Sequence, residues 1–448
     1  MGASPQTRRQ AVRRAVFAAG LVALLVGLRA GWLAPQHGPS ESQWAALYQR
    51  GGDTYVKMLY LAGEDERTPV GKRLLGMACF YYGLSAKANP GDARAATSLG
   101  VALATLGREA EAKKVLGDAA LHAPSREQAA ILAVSQLVAG NVSAELIAQA
   151  RELLSRVEPG ALFLADAYTA IGSGETARQE LDGAERRAEG IAPRLIALIV
   201  VGGAIILAGP IGLIVLLIRR RPSAGGELPT PPPGVPEAVE SLVLWVFLAV
   251  LASSILARLV FAGRQMPAAA VVLPSLVAGC GAIAWVRLIC RSARLGWDLR
   301  APLGSIGWGL MAAGLLAPAT AVMEQLLQKT WQPVQHPLVP VFAAASGWES
   351  KAALIAAACL VIPVLEETLF RGILYRALRA WWPAIGAALA SGLVFAVGHM
   401  SFVGLLPYLL IGVVLAGLYE KKKTLLAPAV CHAAFNAFNI VILFALFG

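Results

Sequence analysis

The chain has 448 residues, 57% hydrophobic and only 15% charged, with a formal net charge of +11. An average soluble domain is roughly one quarter charged, so this composition excludes an ordinary soluble fold and marks an integral membrane protein. The positive balance does not mark a nucleic-acid binder, because the basic residues stand beside apolar runs and form no long tract. Arg8, Arg9, Arg13 and Arg14 precede the first run, Arg219–Arg221 follow the second, and Lys421–Lys423 sit between the last two, which is the pattern that sets orientation in a bilayer.

Residues 15–28 are apolar after a basic start, as in a signal peptide or a signal anchor. Arg29 interrupts the run and no small-x-small cleavage site follows it closely, so 1–35 reads as an uncleaved membrane anchor. A second run, Leu195–Ile218, is uncharged and long enough to span, which defines a second membrane helix within 193–221. Basic residues lie before the first run and after the second, so 36–192 is expected outside the cytoplasm.

That outer segment carries a repeat over about 50–190. "ATSLGVALATLGREAEAKKVLGDAALHAP" sets Leu99, Gly100, Leu103, Gly107, Ala112, Leu116, Ala119 and Pro124 at tetratricopeptide spacing, and Pro90 precedes Pro124 by the period of about 34 residues. "LADAYTAIGSGETARQELDGA" repeats the template with Ala165, Tyr168, Gly172, Ala177, Leu181 and Ala184; the match weakens around 53–90 and 128–154. Small residues let paired helices cross closely and glycine ends the first of each pair. The segment therefore resembles tetratricopeptide repeats, with a generic Ala-rich bundle as the alternative. Either way it reads as a module that binds a protein partner or sets a spacing.

Residues 222–236, "PSAGGELPTPPPGVP", read as an extended linker. Beyond it, 237–448 reads as a polytopic domain with spans near 241–262, 268–289, 304–325, 352–374, 383–400, 404–419 and 425–447, and 326–351 as a loop with an interfacial helix on the outer side. Alternation puts "RSARLGWDLR", "RALRAWWP" and "EKKKT" on one side, and these are the basic loops. The expected fold is all-α: a multi-pass bundle of about nine spans in the plasma membrane, with an extracytoplasmic tetratricopeptide-like domain and membrane lipid around it. The five cysteines show no CxxC spacing and suggest neither a disulfide framework nor a metal site, and no cofactor is expected.

Three polar pairs fall in the last hundred residues. Glu366-Glu367 with Arg371 lies in "VIPVLEETLFRGILYR"; Glu367 and Arg371 are four apart and share a helix face. Phe395 and His399 in "FAVGH", and His432 and Asn436 in "HAAFN", are also four apart. Ionisable groups inside a membrane are costly and usually functional, and the chain has only five histidines. A glutamate and a histidine can hold and deprotonate one water. A second histidine and an asparagine amide can donate to a developing oxyanion, worth about 10²–10³ in rate per donor. Together these residues suffice for peptide-bond hydrolysis without a covalent intermediate.

EETLFR fits EExxxR, FAVGH fits FxxxH and HAAFN fits HxxxN, in the order found in the CAAX protease and bacteriocin-processing (CPBP, Abi-type) family. Residues of about 240–448 resemble that family of intramembrane glutamic endopeptidases, whose eukaryotic relatives trim prenylated CAAX proteins. The resemblance implies that Glu366 activates water with His399, that Glu367 supports the first carboxylate and Arg371 orients the pair, and that His432 and Asn436 form the oxyanion hole. It implies a membrane-protein or lipidated-peptide substrate and no bound metal. The residues alone leave three other readings open: a metal-dependent hydrolase using the same histidines and glutamates, a non-enzymatic scaffold or immunity-type protein, and a transporter using the carboxylates as a proton relay.

Overall fold

A computed structural model describes residues 41–63, 66–219, 228, 231–256, 272–290, 294–300, 302–328, 345, 347–399 and 404–447. Every regular element among them is a helix. The expected anchor at 15–34, most of the 222–236 linker and most of the 326–351 loop lie outside the described residues. The described residues fall into two compact units, 200–441 and 41–199 together with 442–447.

The second unit is built from eight helices, α1 Glu41–Leu61, α2 Pro69–Ala88, α3 Ala93–Thr105, α4 Glu109–His122, α5 Ser125–Val138, α6 Ala144–Leu154, α7 Gly160–Ala170 and α8 Gly174–Ala188. Consecutive helices pack on one another and α1 also meets α8. Side chains cap several of the starts, Thr68 accepting from the Gly71 N–H, Asp92 from the Arg94 N–H and Ser143 from the Leu146 N–H. The stops repeat. Gly107, Gly140 and Gly172 each adopt positive φ (76°, 88° and 77°), and the residue after each donates back across the end of the helix, Arg108 N–H to Leu103 O, Asn141 N–H to Gln136 O and Ser173 N–H to Tyr168 O. This is the six-to-one closure that glycine makes affordable. The same stop therefore recurs after α3, α5 and α7. Between α3 and α4, a Cβ on Gly100 would stand 2.6 Å from the Leu116 side chain, so the small residue at that template position sets the approach of the pair.

A polar knot crosses the core of this unit. Asp53 accepts from Gln49 Nε2 (3.1 Å), Tyr82 OH (2.9 Å) and Arg94 Nη2 (3.1 Å), and Gln49 also donates to Ser98 Oγ (2.8 Å). The knot ties α1, α2 and α3 together. Desolvation pushes the Asp53 carboxyl up to about 6, against the pull of Arg94 and Tyr82. Burial likewise pushes the Cys79 thiol up to about 12, which leaves it an inert core side chain.

The first unit holds the apolar helices. These are α9 Gly203–Arg219, α10 Val235–Ile255, α11 Leu273–Ile289, α12 Pro302–Gln328, α13 Gly347–Ala356, α14 Ile362–Glu367, α15 Arg376–Arg379, α16 Ala384–Gly398, α17 Leu405–Lys422 and α18 Leu426–Phe447. Among the described residues five helical stretches are long and apolar enough to cross a membrane: Gly174–Val215, Val235–Ser253, Pro302–Glu324, Gly347–Arg379 and Leu426–Phe447. Two expected spans, 268–289 and 383–400, take form as shorter apolar helices. The span expected from 241 begins at Val235, because Pro236 occupies the first turn, where its missing N–H costs nothing. The second membrane helix, set apart from the polytopic domain in the sequence reading, packs into this unit. A Cβ on Gly209 of α9 would come within 2.8 Å of the Gly314 backbone in α12, the close crossing that small residues permit in membranes.

The three basic loops meet at one end of this unit. Thr424 Oγ1 donates to Asp298 O (2.8 Å) and accepts from the Asp298 N–H (3.2 Å), Leu425 N–H donates to Gly296 O (3.0 Å), and Glu420 pairs with Arg379 (3.4 Å) and Lys423 (3.0 Å). The linker is held where it is described. Leu228 packs against Tyr375, Tyr419 and their neighbours, and Pro231 O accepts from Arg376 Nη2 at 3.1 Å.

Candidate active site

The stretch 347–379 carries the glutamates on a helix whose register changes twice. Between α13 and α14, Ala357–Val361 is π-helical, and after α14, Thr368–Tyr375 is π-helical again. Such insertions cluster at functional sites because they re-aim side chains within an otherwise regular helix. Glu366 and Glu367 end the short α segment between the two.

Arg371 Nη1 donates to Glu367 Oε1 at 2.9 Å, with side-chain exposures of 1% and 0%. His432 Nδ1 meets the same Oε1 at 3.0 Å, and His432 Nε2 lies 3.8 Å from Glu366 Oε2. The imidazole of α18 thus stands between the two carboxylates. Against an ionised carboxylate Nδ1 must be the donor, so His432 offers a donor at Nε2 only when it carries both protons. Arg371 Nη2 also donates to Gly412 O of α17 at 3.1 Å. That contact exists because α16 and α17 cross at Gly392 and Gly412; a Cβ on Gly412 would stand 2.7 Å from Gly392 Cα.

Phe395, the first residue of FAVGH, is the hub beneath these groups. Its ring lies 4.6 Å from the Arg371 guanidinium carbon, 4.4 Å from the His399 ring and 5.9 Å from the His432 ring. His399 caps α16 at its C-terminal end. Its Nδ1 lies 2.8 Å from Phe395 O, and because a carbonyl can only accept, the proton sits on Nδ1 and Nε2 keeps its lone pair. His399 also stacks on Tyr408 of α17, with ring centroids 4.3 Å apart. Among the described residues no hydrogen bond joins His399 to either glutamate.

Asn436, one turn beyond His432, donates from Nδ2 to Ala358 O at 2.8 Å. The two residues expected to face a common oxyanion therefore reach the same neighbouring helix at two points, His432 at the carboxylates and Asn436 at a backbone carbonyl. Cys431 is fully buried beside His432. Among the described residues nothing hydrogen-bonds to the buried Glu366 Oε2 and Glu367 Oε2, which leaves them as acceptors for an incoming water. Sequence reasoning missed Tyr408, whose ring stacks on His399. Tyr408 gave no signal beyond an aromatic near the start of a helix. Among the described residues, no three of His, Cys, Asp and Glu are placed to share a metal ion.

Comparison with known proteins bears on the same stretch. Residues 348–438 match the family described as Rce1-like, Type II CAAX prenyl endopeptidase Rce1-like. A relative in Bacillus subtilis (strain 168), named "Putative membrane peptidase YdiL", is 32% identical over 88 residues. That alignment takes in 20% of this chain, which spans 36% of the relative's length. No solved structure matches. The matched segment contains Glu366, Glu367, Arg371, His399, His432 and Asn436: residues 348–438 of this integral membrane protein are similar to the Rce1-like family of CAAX proteases.

Proposed function

We propose that this protein is an intramembrane endopeptidase that hydrolyses peptide bonds of membrane-associated or lipidated proteins with a glutamate-activated water. The observation that carries the reading is the set Glu366–His432–Glu367–Arg371, a partly buried carboxylate and three buried ionisable side chains converging from two helices. Glu366, the less tightly engaged carboxylate, takes the proton from a water that His399 also holds through Nε2. The hydroxide adds to the scissile carbonyl, and the C–N bond breaks as the proton passes from Glu366 to the departing amine nitrogen. His432 and Asn436 donate to the oxyanion in between. Glu367 is held by Arg371 and His432 and serves as the fixed partner of the reacting acid. The repeat unit, outside the cytoplasm at the plasma membrane, recruits a protein or peptide partner, and bilayer lipid surrounds the helices.

Comparative membrane proteomics of the native strain and strains with Glu366→Ala or His399→Ala tests this. At least one membrane-protein fragment should vanish in both variants and return with the native gene. Identical fragment patterns at equal protein levels would reject hydrolysis at this site.

A further inference from the structure

The helix that carries the glutamates changes register just ahead of them, and one residue explains where the displaced hydrogen bond goes. At the end of the first π segment, the Ile362 N–H donates to Ala357 O, five residues back. One step on, a π register carried one residue further would have residue 363 donate to Ala358 O, and the return to α register would have it donate to Cys359 O. Residue 363 is a buried proline and has no N–H to give. A buried backbone carbonyl needs a donor, and Ala358, itself buried, receives one from outside its helix, the 2.8 Å bond from Asn436 Nδ2. An asparagine amide nitrogen carries two hydrogens, so this bond spends one and fixes the plane in which the other points.

We propose that Pro363 is a positioning residue of the active site. By withholding its N–H it assigns the Ala358 carbonyl to Asn436, which locks α18 to the glutamate helix and orients the second amide hydrogen toward the reacting carbonyl. The proposal rests on the protease reading for its catalytic half and not for the tether itself. His432 precedes Asn436 by one turn, so the same tether holds the imidazole level with Glu366 and Glu367. The bond to Ala358 is what makes the HxxxN spacing useful in this chain: one residue reaches the acids, the other reaches the carbonyl that the proline has freed.

The test is a double-mutant cycle on the full-length protein in detergent, with Pro363→Ala, Asn436→Ala and the pair. Asn436→Ala should lower Tm by several degrees in the native background. With alanine at 363, where a backbone N–H can serve Ala358, it should lower Tm far less. Equal drops in both backgrounds would overturn the tether. For the catalytic half, a farnesylated CAAX peptide is the probe. Pro363→Ala should reduce kcat by about 10²-fold with KM unchanged, the loss expected for one misplaced oxyanion donor, and adding Asn436→Ala should cost little more. Multiplying losses, or a change in KM alone, would overturn the positioning role. If the native protein cleaves neither this peptide nor any Glu366-dependent membrane protein, the protease reading and the catalytic half fail together, and the thermal cycle still decides the tether.

Discussion

Arg371 and Glu367 form a 2.9 Å ion pair in which neither side chain has measurable contact with solvent. Breaking such a pair leaves one charge buried and uncompensated, at about 3–5 kcal/mol, whereas replacing both partners by groups of similar shape often costs far less. Arg371→Met should therefore strongly destabilise the protein, and Glu367→Gln combined with Arg371→Met should recover much of the loss. Thermal unfolding in detergent measures both. Equal instability of the single and double variants would mean that the pair is not what holds these helices.

Tyr408 stacks on His399 at 4.3 Å between ring centroids, and the tilted ring of Phe395 lies 4.4 Å from the same imidazole. If the ring rather than the hydroxyl orients the imidazole, Tyr408→Phe should keep activity within a few-fold of native. Tyr408→Ala should lose about 10²-fold in kcat, the scale of a misplacement of about 1 Å. Steady-state cleavage of a Glu366-dependent substrate separates the two; a large loss with phenylalanine would assign the role to the hydroxyl.

Gly412 has no room for a larger side chain, and its carbonyl anchors Arg371. Gly412→Val should separate α16 from α17 and cost about 1–3 kcal/mol or more from overpacking. Activity should fall further than stability alone accounts for, because the guanidinium loses its second anchor. Matched Tm and cleavage measurements on this variant and on Gly417→Val, where a Cβ meets nothing within 4 Å, give the comparison.

Burial pushes the Asp53 carboxyl up to about 6, above the ordinary carboxylate range. The folded state then binds the proton more tightly than the unfolded chain, so this group contributes stability at low pH that is lost as pH rises from about 4 through about 6. At neutral pH the burden is on the order of 3 kcal/mol. Tm of the helical unit that contains Asp53 should fall over that window in the native protein by more than in Asp53→Asn. Parallel curves would show that Asp53 does not titrate there.

The spacing of four made the three pairs legible, because it fixes which side chains share a helix face. It did not say which helix that face meets. His399 was expected to share a water with Glu366; the imidazole within 4 Å of both acids belongs to His432, and His399 lies against Phe395 and Tyr408. Asn436 was readable as an amide beside a histidine; its partner, Ala358, has no sequence signal, since backbone carbonyls carry none. In the other unit, Gly107 and Gly172 were visible in the repeat template. Gly140 makes the same stop in a stretch whose side chains depart from the template, because a left-handed helix end needs only the glycine and not its neighbours.

Helix α16 has 15 residues, which at about 1.5 Å each comes to roughly 22 Å. A typical hydrocarbon layer is about 30 Å thick. If either end of that helix meets the lipid headgroups, the imidazole of His399 or the chain leading to it must stop partway through the oily layer. The reaction's working depth is then set by the length of one short segment, and host membranes of different thickness would present the same substrate bond to that imidazole at different heights.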